Sequence, residues 1–187
     1  VTMSGASINL SSLEVKSSST SSVISSVIGG YTALTLTSPL TTGVLTLSAN
    51  NSYTGMTTLN SGYLYITSET NINNGLGGLT MAGGGLKAGA DITLNPVMSL
   101  TALKTSVLFA TGTTTITINS NISGAGNLLI ANGATGTVVL GGANTYTGST
   151  TIYGKLTLAN LNALSTSAIN IGTSGVLDIA GYSISNA

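Results

Sequence analysis

The sequence predicts an all-β solenoid, a chain that coils so that each turn pairs with the turn below it. Apolar residues recur at every second position in short runs such as Leu64/Ile66 and Ile116/Ile118, which is the periodicity of strands with one buried face. Clusters of Gly, Asn and Ser separate these runs, and one long segment occurs twice in the chain. Repetition of short strands and turns is typical of solenoids, and no segment combines helical spacing, caps and length.

The first 40 residues have no counterpart in the repeat. Strand patterns over residues 8–15 and 23–36 flank the serine-rich run Ser17–Ser22. We therefore predict two parts of the chain. Residues 1 to about 40 form an N-terminal strand segment that acts as a cap, a linker or a strand between molecules, and residues 41–187 form the solenoid.

The repeat defines the architecture of the second part. Residues 47–59, LSANNSYTGMTTL, align without gaps with residues 140–152, LGGANTYTGSTTI, at a separation of 93 residues. The alignment continues from 62–66 to 154–158 after one residue is dropped. Between the copies, the β-branched and Leu-rich residues 99–110 predict strand. Coils of about 20 to 25 residues at the strand spacing of about 4.8 Å predict roughly eight rungs and a rod on the order of 40 Å long.

Charge is scarce in this chain, because only 4% of the residues are charged, against about 25% in an ordinary domain. Four lysines and four acids give zero net charge, without Arg or His. Nucleic acid is therefore excluded as a partner, since binding to phosphates needs clustered cations. No apolar run approaches the ~18 residues of a transmembrane helix.

The sequence predicts no catalytic residue, no cofactor and no metal site. Without His and Cys, neither a Ser-His-Asp nor a Cys-His arrangement can form. Asp91 and Asp178 lie in similar strand contexts, but about four rungs separate them by roughly 15 to 20 Å. Paired carboxylates for glycoside hydrolysis need about 5 to 10 Å, so we predict that the protein is not an enzyme.

The two Asn-x-Tyr-Thr-Gly motifs are the candidate site in this chain. One interpretation is that their Asn and Tyr side chains bind sugar. The interpretation that we favour is a structural turn, because Asn tolerates turn geometry, Gly permits positive φ and Tyr packs across a corner. Tyr63 and Tyr65 also predict a small exposed aromatic stripe, for which surface packing and partner contact are both open. The motif residues are Asn51, Tyr53, Gly55, Asn144, Tyr146 and Gly148.

Residues 142–158 resemble the passenger-associated repeat of bacterial autotransporters, whose pattern is GANTYTGxTTIxxGxLxL. This copy has only Tyr153 between Ile152 and Gly154, one residue fewer than the pattern. The first copy keeps both spacer residues and differs at 50–52, which read Asn-Asn-Ser. The resemblance implies a right-handed parallel β-helix that is exported to the cell surface, and it implies no catalytic activity.

Two functions are compatible with these features. The first is a secreted structural protein that assembles with copies of itself into an extracellular filament or surface layer, because scarce charge and unpaired terminal strands favour association. The second is a monomeric passenger fragment of an autotransporter adhesin with cell-surface or glycan ligands. Both place the protein outside the cell or on the bacterial cell surface. The candidate assembly strands contain Ile8, Leu10, Val23, Val176, Ile179 and Ile184.

Overall fold

The computed structural model describes residues 2–5, 7–16, 19–72, 76–131, 135–165 and 168–182. Over these residues the chain consists of short strands and a single short 3-10 helix, Glu69–Asn71. The first strands are β1 Thr2–Met3, β2 Ile8–Asn9, β3 Ser12–Lys16, β4 Ser21–Ile24, β5 Ile28–Gly29, β6 Ala33–Thr37, β7 Val44–Leu47, β8 Thr57–Leu59, β9 Tyr63–Ile66, β10 Leu79–Met81 and β11 Gly85–Ala88. The others are β12 Ile92–Leu94, β13 Met98–Leu100, β14 Thr105–Ala110, β15 Thr115–Ile118, β16 Ile122–Gly124, β17 Asn127–Ile130, β18 Thr137–Leu140, β19 Thr150–Ile152, β20 Lys155–Leu158, β21 Ile169–Ile171 and β22 Val176–Asp178.

The strands stack on three faces, which the chain visits in turn. Face I is one nine-stranded sheet in the order β1-β4-β7-β9-β11-β14-β17-β19-β21. Face II contains the pair β2-β5 and the sheet β12-β15-β18-β20-β22, and face III contains β16-β13-β10-β8-β6-β3. On every face the neighbouring strands are parallel, as in β7 with β9 and β15 with β18. The all-β parallel solenoid is therefore confirmed, and its nine levels on face I agree with the roughly eight rungs predicted.

Face II is continuous between its two sheets, although the residues that the structure describes form no strand there. The amide of Ser52 donates to the carbonyl of Ile28 in β5, and the amide of Asn51 donates to the carbonyl of Thr70. One level further, the Glu69 carboxylate accepts from the backbone amide of Asn95, just after β12. The first motif and the 3-10 helix therefore occupy the levels of face II between β5 and β12.

The core is a column of apolar side chains along the axis of the solenoid. Strands such as β6, β7, β9 and β18 alternate between buried and half-buried positions, as expected when one face of each strand points inward. Each fully buried Leu or Ile contributes about 1.5–3 kcal/mol. Fully buried members of the column include Leu34, Leu36, Leu45, Leu59, Leu64, Ile66, Leu86, Leu108, Ile130, Ile152 and Leu156.

The strands on either side of residue 40 are hydrogen-bonded neighbours. β3 pairs with β6 over five residues, from Ser12↔Ala33 to Lys16↔Thr37, and β6 pairs in turn with β8. On face I, β4 pairs with β7. The capping or intermolecular role of residues 1–40 stays a prediction.

The two copies of the repeat lie on different faces. β8, which follows the first motif, lies on face III, whereas the aligned strand β19 lies on face I. Likewise β9 lies on face I and the aligned β20 on face II. The 93-residue separation thus corresponds to four complete turns of the solenoid plus the passage to the next face. Relative to the first copy, the second copy is therefore rotated by one face about the solenoid axis.

Two details differ from the sequence-based expectations. The strand predicted over residues 99–110 is interrupted after β13 by a turn at residues 101–104, where Leu103 has a φ of 62°. The glycines of both motifs were expected to adopt positive φ, but neither Gly55 nor Gly148 does so. Their role is a close approach between turns, which follows from the geometry of the motifs.

Candidate functional site

The asparagines of both motifs are buried and bridge two neighbouring turns. Asn51 Oδ1 accepts from the amide of Ile28 at 2.8 Å, and Nδ2 donates to the carbonyl of Asn71 at 2.5 Å. Asn144 repeats this geometry, since Oδ1 accepts from the amide of Ile122 at 2.7 Å and Nδ2 donates to the carbonyl of Ala163 at 2.5 Å. Each carboxamide uses its acceptor on the turn below and its donor on the turn above, so it satisfies two buried backbone groups.

The tyrosines of the motifs are also buried and have no exposed surface. Tyr53 and Tyr146 both have an exposed fraction of 0%. The Tyr53 hydroxyl is 2.7 Å from Oγ1 of Thr57, and the Tyr146 hydroxyl is 2.6 Å from Oγ1 of Thr150. These rings fill the corners of the solenoid and cannot stack on a sugar in solution.

The glycines of the motifs face the backbone of the preceding turn. A Cβ on Gly55 would clash with the carbonyl of Thr32, and a Cβ on Gly148 would clash with the carbonyl of Gly126. Stacked strands lie only about 4.8 Å apart, so a side chain that points at the neighbouring backbone has no room. The motif residues are thus brought together in each copy as a corner of the fold, and the two corners lie on faces II and III.

Sequence reasoning missed three partners of the motifs. Thr57 and Thr150 are fully buried and meet the tyrosine hydroxyls, and the Thr-Thr pair shared by both copies was a signal for them. Asn71 is buried, and its Oδ1 accepts from the amides of Thr67 and Ser68 while Nδ2 donates to the carbonyl of Ala49. No repeated pattern in the sequence marks Asn71.

The aromatic stripe on face I contains a lysine between two rings. Tyr63, Gly85 and Val107 stand in register on β9, β11 and β14, and two residues further along stand Tyr65, Lys87 and Phe109. Nζ of Lys87 lies 4.2 Å from the ring centroid of Tyr63 and 4.9 Å from that of Phe109. Burial against these rings lowers the pKa of the Lys87 ammonium.

The carboxylates do not meet at a common site. Asp91 accepts from the amide of Thr115, and Asp178 accepts from the amide of Ala180. Four strand pairings separate their levels, from β12 to β22, which corresponds to roughly 15 to 20 Å. Among the described residues no group of three or more acidic side chains is placed to hold a metal ion.

The predicted assembly strands differ in their surroundings. Val23 lies in β4, which is paired with β1 on one side and β7 on the other. Val176 and Ile179 are 51% and 39% exposed at the β22 level, and Leu10 is 52% exposed beside β2. Ile8 is half-buried in β2, and Ile184 lies outside the described residues. Assembly through these strands stays a prediction.

The fold and the motifs define a class of protein, a parallel β-solenoid whose repeated corners are built from buried Asn, Tyr and Gly. The family model of the passenger-associated-transport-repeat matches residues 42–66 and 129–154. These ranges contain both motifs, so the chain carries two passenger-associated-transport repeats, as the resemblance in the sequence predicts.

The similarity to a curated relative extends beyond the two repeats. The chain is 34% identical over 136 residues to the adhesin BmaC autotransporter of Brucella suis biovar 1 (strain 1330). The match covers 73% of this chain and 4% of that adhesin, so the chain corresponds to a small part of the relative. No solved structure gives a significant match. In the part of the chain that the structure describes, no helix has the length and apolar character needed to cross a membrane.

Proposed function

We propose that this chain is a segment of the passenger of an autotransporter adhesin, exposed at the cell surface or secreted. The observation that carries the proposal is the match to an adhesin over 73% of the chain, together with two passenger-associated-transport repeats. This favours the second of the two functions predicted from the sequence.

The physical role of the segment is that of a non-catalytic, rigid spacer and display surface. Its sheet on face I is continuous through nine strands, and its turns are connected by buried side-chain bridges such as those of Asn51 and Asn144. Since each turn contacts only its neighbours, a solenoid extends with length without needing a globular centre. Outward side chains on three faces are then available to contact other molecules.

Surface display is tested on cells that make the complete protein. Antibodies raised against the 187-residue chain should label intact cells, and external protease should remove the label. Antibodies against a cytoplasmic protein serve as the control for cell integrity. Label that appears only after the cells are lysed would contradict the proposal.

Adhesion is tested separately with beads coated with the purified chain. We expect these beads to bind to host cells more than beads coated with albumin do. Equal binding of the two kinds of bead would show that this segment is a spacer without adhesive surface.

Self-assembly into a filament or surface layer stays a prediction from the scarce charge of the chain. Light scattering over a concentration series tests it, because a filament subunit grows in mass with concentration. A constant monomer mass at high concentration would contradict self-assembly and would not affect the adhesin proposal.

A further inference from the structure

Face I carries a cleft beside the aromatic stripe, outside the two Asn-x-Tyr-Thr-Gly motifs. The cleft has a volume of about 200 Å³ and is lined by Thr41, Ser61, Gly62, Tyr63, Gly83, Gly85 and Val107. Drug-sized ligands occupy pockets of about 300–1,000 Å³. The cleft therefore suits one small unit, such as a single sugar ring of a longer glycan.

Tyr63 forms an aromatic wall that is held by its neighbours. A Cβ on Gly85 would lie 2.5 Å from Cδ1 and Cε1 of Tyr63, so this edge of the ring fills the space that a side chain at Gly85 would need. The ring also contacts Nζ of Lys87, which lies 4.2 Å from the centroid. A ring that is fixed in this way offers an apolar surface at little cost in conformational entropy.

Two of the four lysines border the cleft. Lys87 contacts the Tyr63 ring that lines it. A Cβ on Gly83, another lining residue, would lie 3.6 Å from Cδ of Lys104, so the Lys104 side chain runs past the cleft at that point. The stems of two lysines therefore lie beside the cleft, and the ammonium of Lys87 lies at the Tyr63 ring.

The carboxylates of the chain are engaged elsewhere. Glu14 pairs with Lys16 at 3.4 Å, and Glu69 accepts from Asn95 on face II. Asp91 and Asp178 accept from backbone amides at the two ends of the β12 to β22 stack. In a chain of zero net charge, the cleft thus collects positive charge without an acidic partner among these contacts.

We propose that this cleft binds the carboxylate-bearing sugar of an acidic glycan, with Tyr63 against the sugar ring and Lys87 and Lys104 as the cations for the carboxylate. The inference rests on the proposed adhesin function and names a ligand class for it. Sugar C–H groups carry partial positive charge and pack on the negative face of an aromatic ring. A carboxylate that meets an ammonium forms a charge-assisted hydrogen bond, which is stronger than a neutral one. Sialic acids and uronic acids share this chemistry.

The test is a titration of the purified 187-residue chain followed by NMR or calorimetry. The probes are the methyl glycosides of N-acetylneuraminic acid and glucuronic acid, with methyl glucoside as the neutral sugar and acetate as the simple anion. We expect saturable binding of at least one acidic sugar and none of methyl glucoside. Binding of the sialic acid alone indicates a host glycan, whereas binding of the glucuronide alone indicates a uronic-acid polysaccharide.

Matched variants connect the binding to the cleft. Lys87→Met keeps the length of the side chain and removes its charge, and it should weaken binding by about tenfold or more, as expected for the loss of a charge-assisted bond. Lys155→Met is the control, because Lys155 lies on face II in the position that aligns with Tyr63. Tyr63→Ser should also weaken binding, whereas Tyr153→Ser, a tyrosine over Gly172, should not. Circular dichroism confirms that each variant is folded.

Three results would overturn the proposal. The first is the absence of saturable binding of both acidic sugars at tens of millimolar. The second is equal binding of acetate or methyl glucoside, and the third is an equal effect of Lys87→Met and Lys155→Met. Because this titration uses no cells, the two experiments fail independently. A negative titration would contradict the glycan proposal alone, and absent surface labelling would contradict the proposed surface display alone.

Discussion

At the scale of single residues, the two copies of the repeat form the same set of hydrogen bonds. A carboxamide has both a donor and an acceptor, so Asn51 and Asn144 each join an amide of one turn to a carbonyl of another. A carboxylate lacks the donor and an apolar side chain lacks both. The identity of these residues therefore follows from the buried amide and carbonyl groups that each of them pairs with.

Asn144→Ala should destabilise the protein by about 2–4 kcal/mol, because it leaves the amide of Ile122 and the carbonyl of Ala163 unpaired in the interior. Urea unfolding measures the change as a lower midpoint. The control is Asn170→Ala, an exposed residue on β21, which should change stability by less than about 0.5 kcal/mol. Equal midpoints for the two variants would refute the bridging role of Asn144.

Lys87 should lose its proton at lower pH in the folded protein than in the unfolded chain, since burial lowers the pKa of its ammonium. The groups that face it are Tyr63 and Tyr65 on β9 and Phe109 on β14. Because the folded state then binds fewer protons than the unfolded state, stability rises with pH between the lowered and the ordinary pKa. The ¹³Cε shift of Lys87 during a pH titration, in the folded protein and in urea, measures this difference. The same titration midpoint in both states would contradict the burial of its ammonium.

At the scale of elements, contacts between stacked turns select small residues at the corners. Gly55 and Gly148 have no positive φ, yet a side chain on either would meet the carbonyl of the turn below. The same principle acts on face I in a different form, where Gly85 leaves space that the Tyr63 ring fills. Glycine is therefore used here for proximity between strands.

Gly55→Ala should destabilise the solenoid by about 1–3 kcal/mol through steric overlap with the Thr32 carbonyl. Gly78→Ala is the matched control, because its Cβ would lie 3.4 Å from the carbonyl oxygen of Val97 and should cost less than about 0.5 kcal/mol. Thermal unfolding of both variants checks the difference. If Gly55→Ala unfolded at the wild-type temperature, close approach would not explain this glycine.

At the scale of the whole molecule, stability comes from stacked turns that contain few charged side chains. The chain contains eight charged side chains and no His, and the described residues contain one ion pair, Lys16–Glu14, on the surface. Surface pairs of this kind contribute about 0–1 kcal/mol. The apolar column and the hydrogen bonds between turns therefore carry the stability, and neither depends on charge.

The unfolding free energy should change by less than about 1 kcal/mol between pH 5.5 and pH 8, because the chain lacks the side chain that ordinarily titrates in this range. It should likewise be insensitive to sodium chloride between about 0.05 and 0.5 M, since few charges are present to be screened. Urea unfolding at several pH values and salt concentrations measures both. A steep dependence on either variable would show that charged groups contribute more than this structure indicates.

Much of the fold could be predicted from the sequence, because the strands follow from the local alternation of apolar and polar residues. Alternation such as Leu64/Ile66 predicted the strands, and the aligned motifs predicted the solenoid and the resemblance to the passenger-associated repeat. The burial expected for Tyr53 and Tyr146 also follows from the sequence, since a motif that repeats without charge or His suits a structural corner.

The tertiary structure alone decided which residues meet. The rotation of the second copy by one face depends on the residues per turn summed over four turns, a quantity that no local pattern encodes. The partners of Asn51 and the close approach at Gly55 depend on the register between turns. The cleft at Tyr63 combines residues from 41 to 107, which lie together only because strands far apart in sequence stack at a few ångströms. Local spacing determines strands, whereas the coiling of the chain determines contacts.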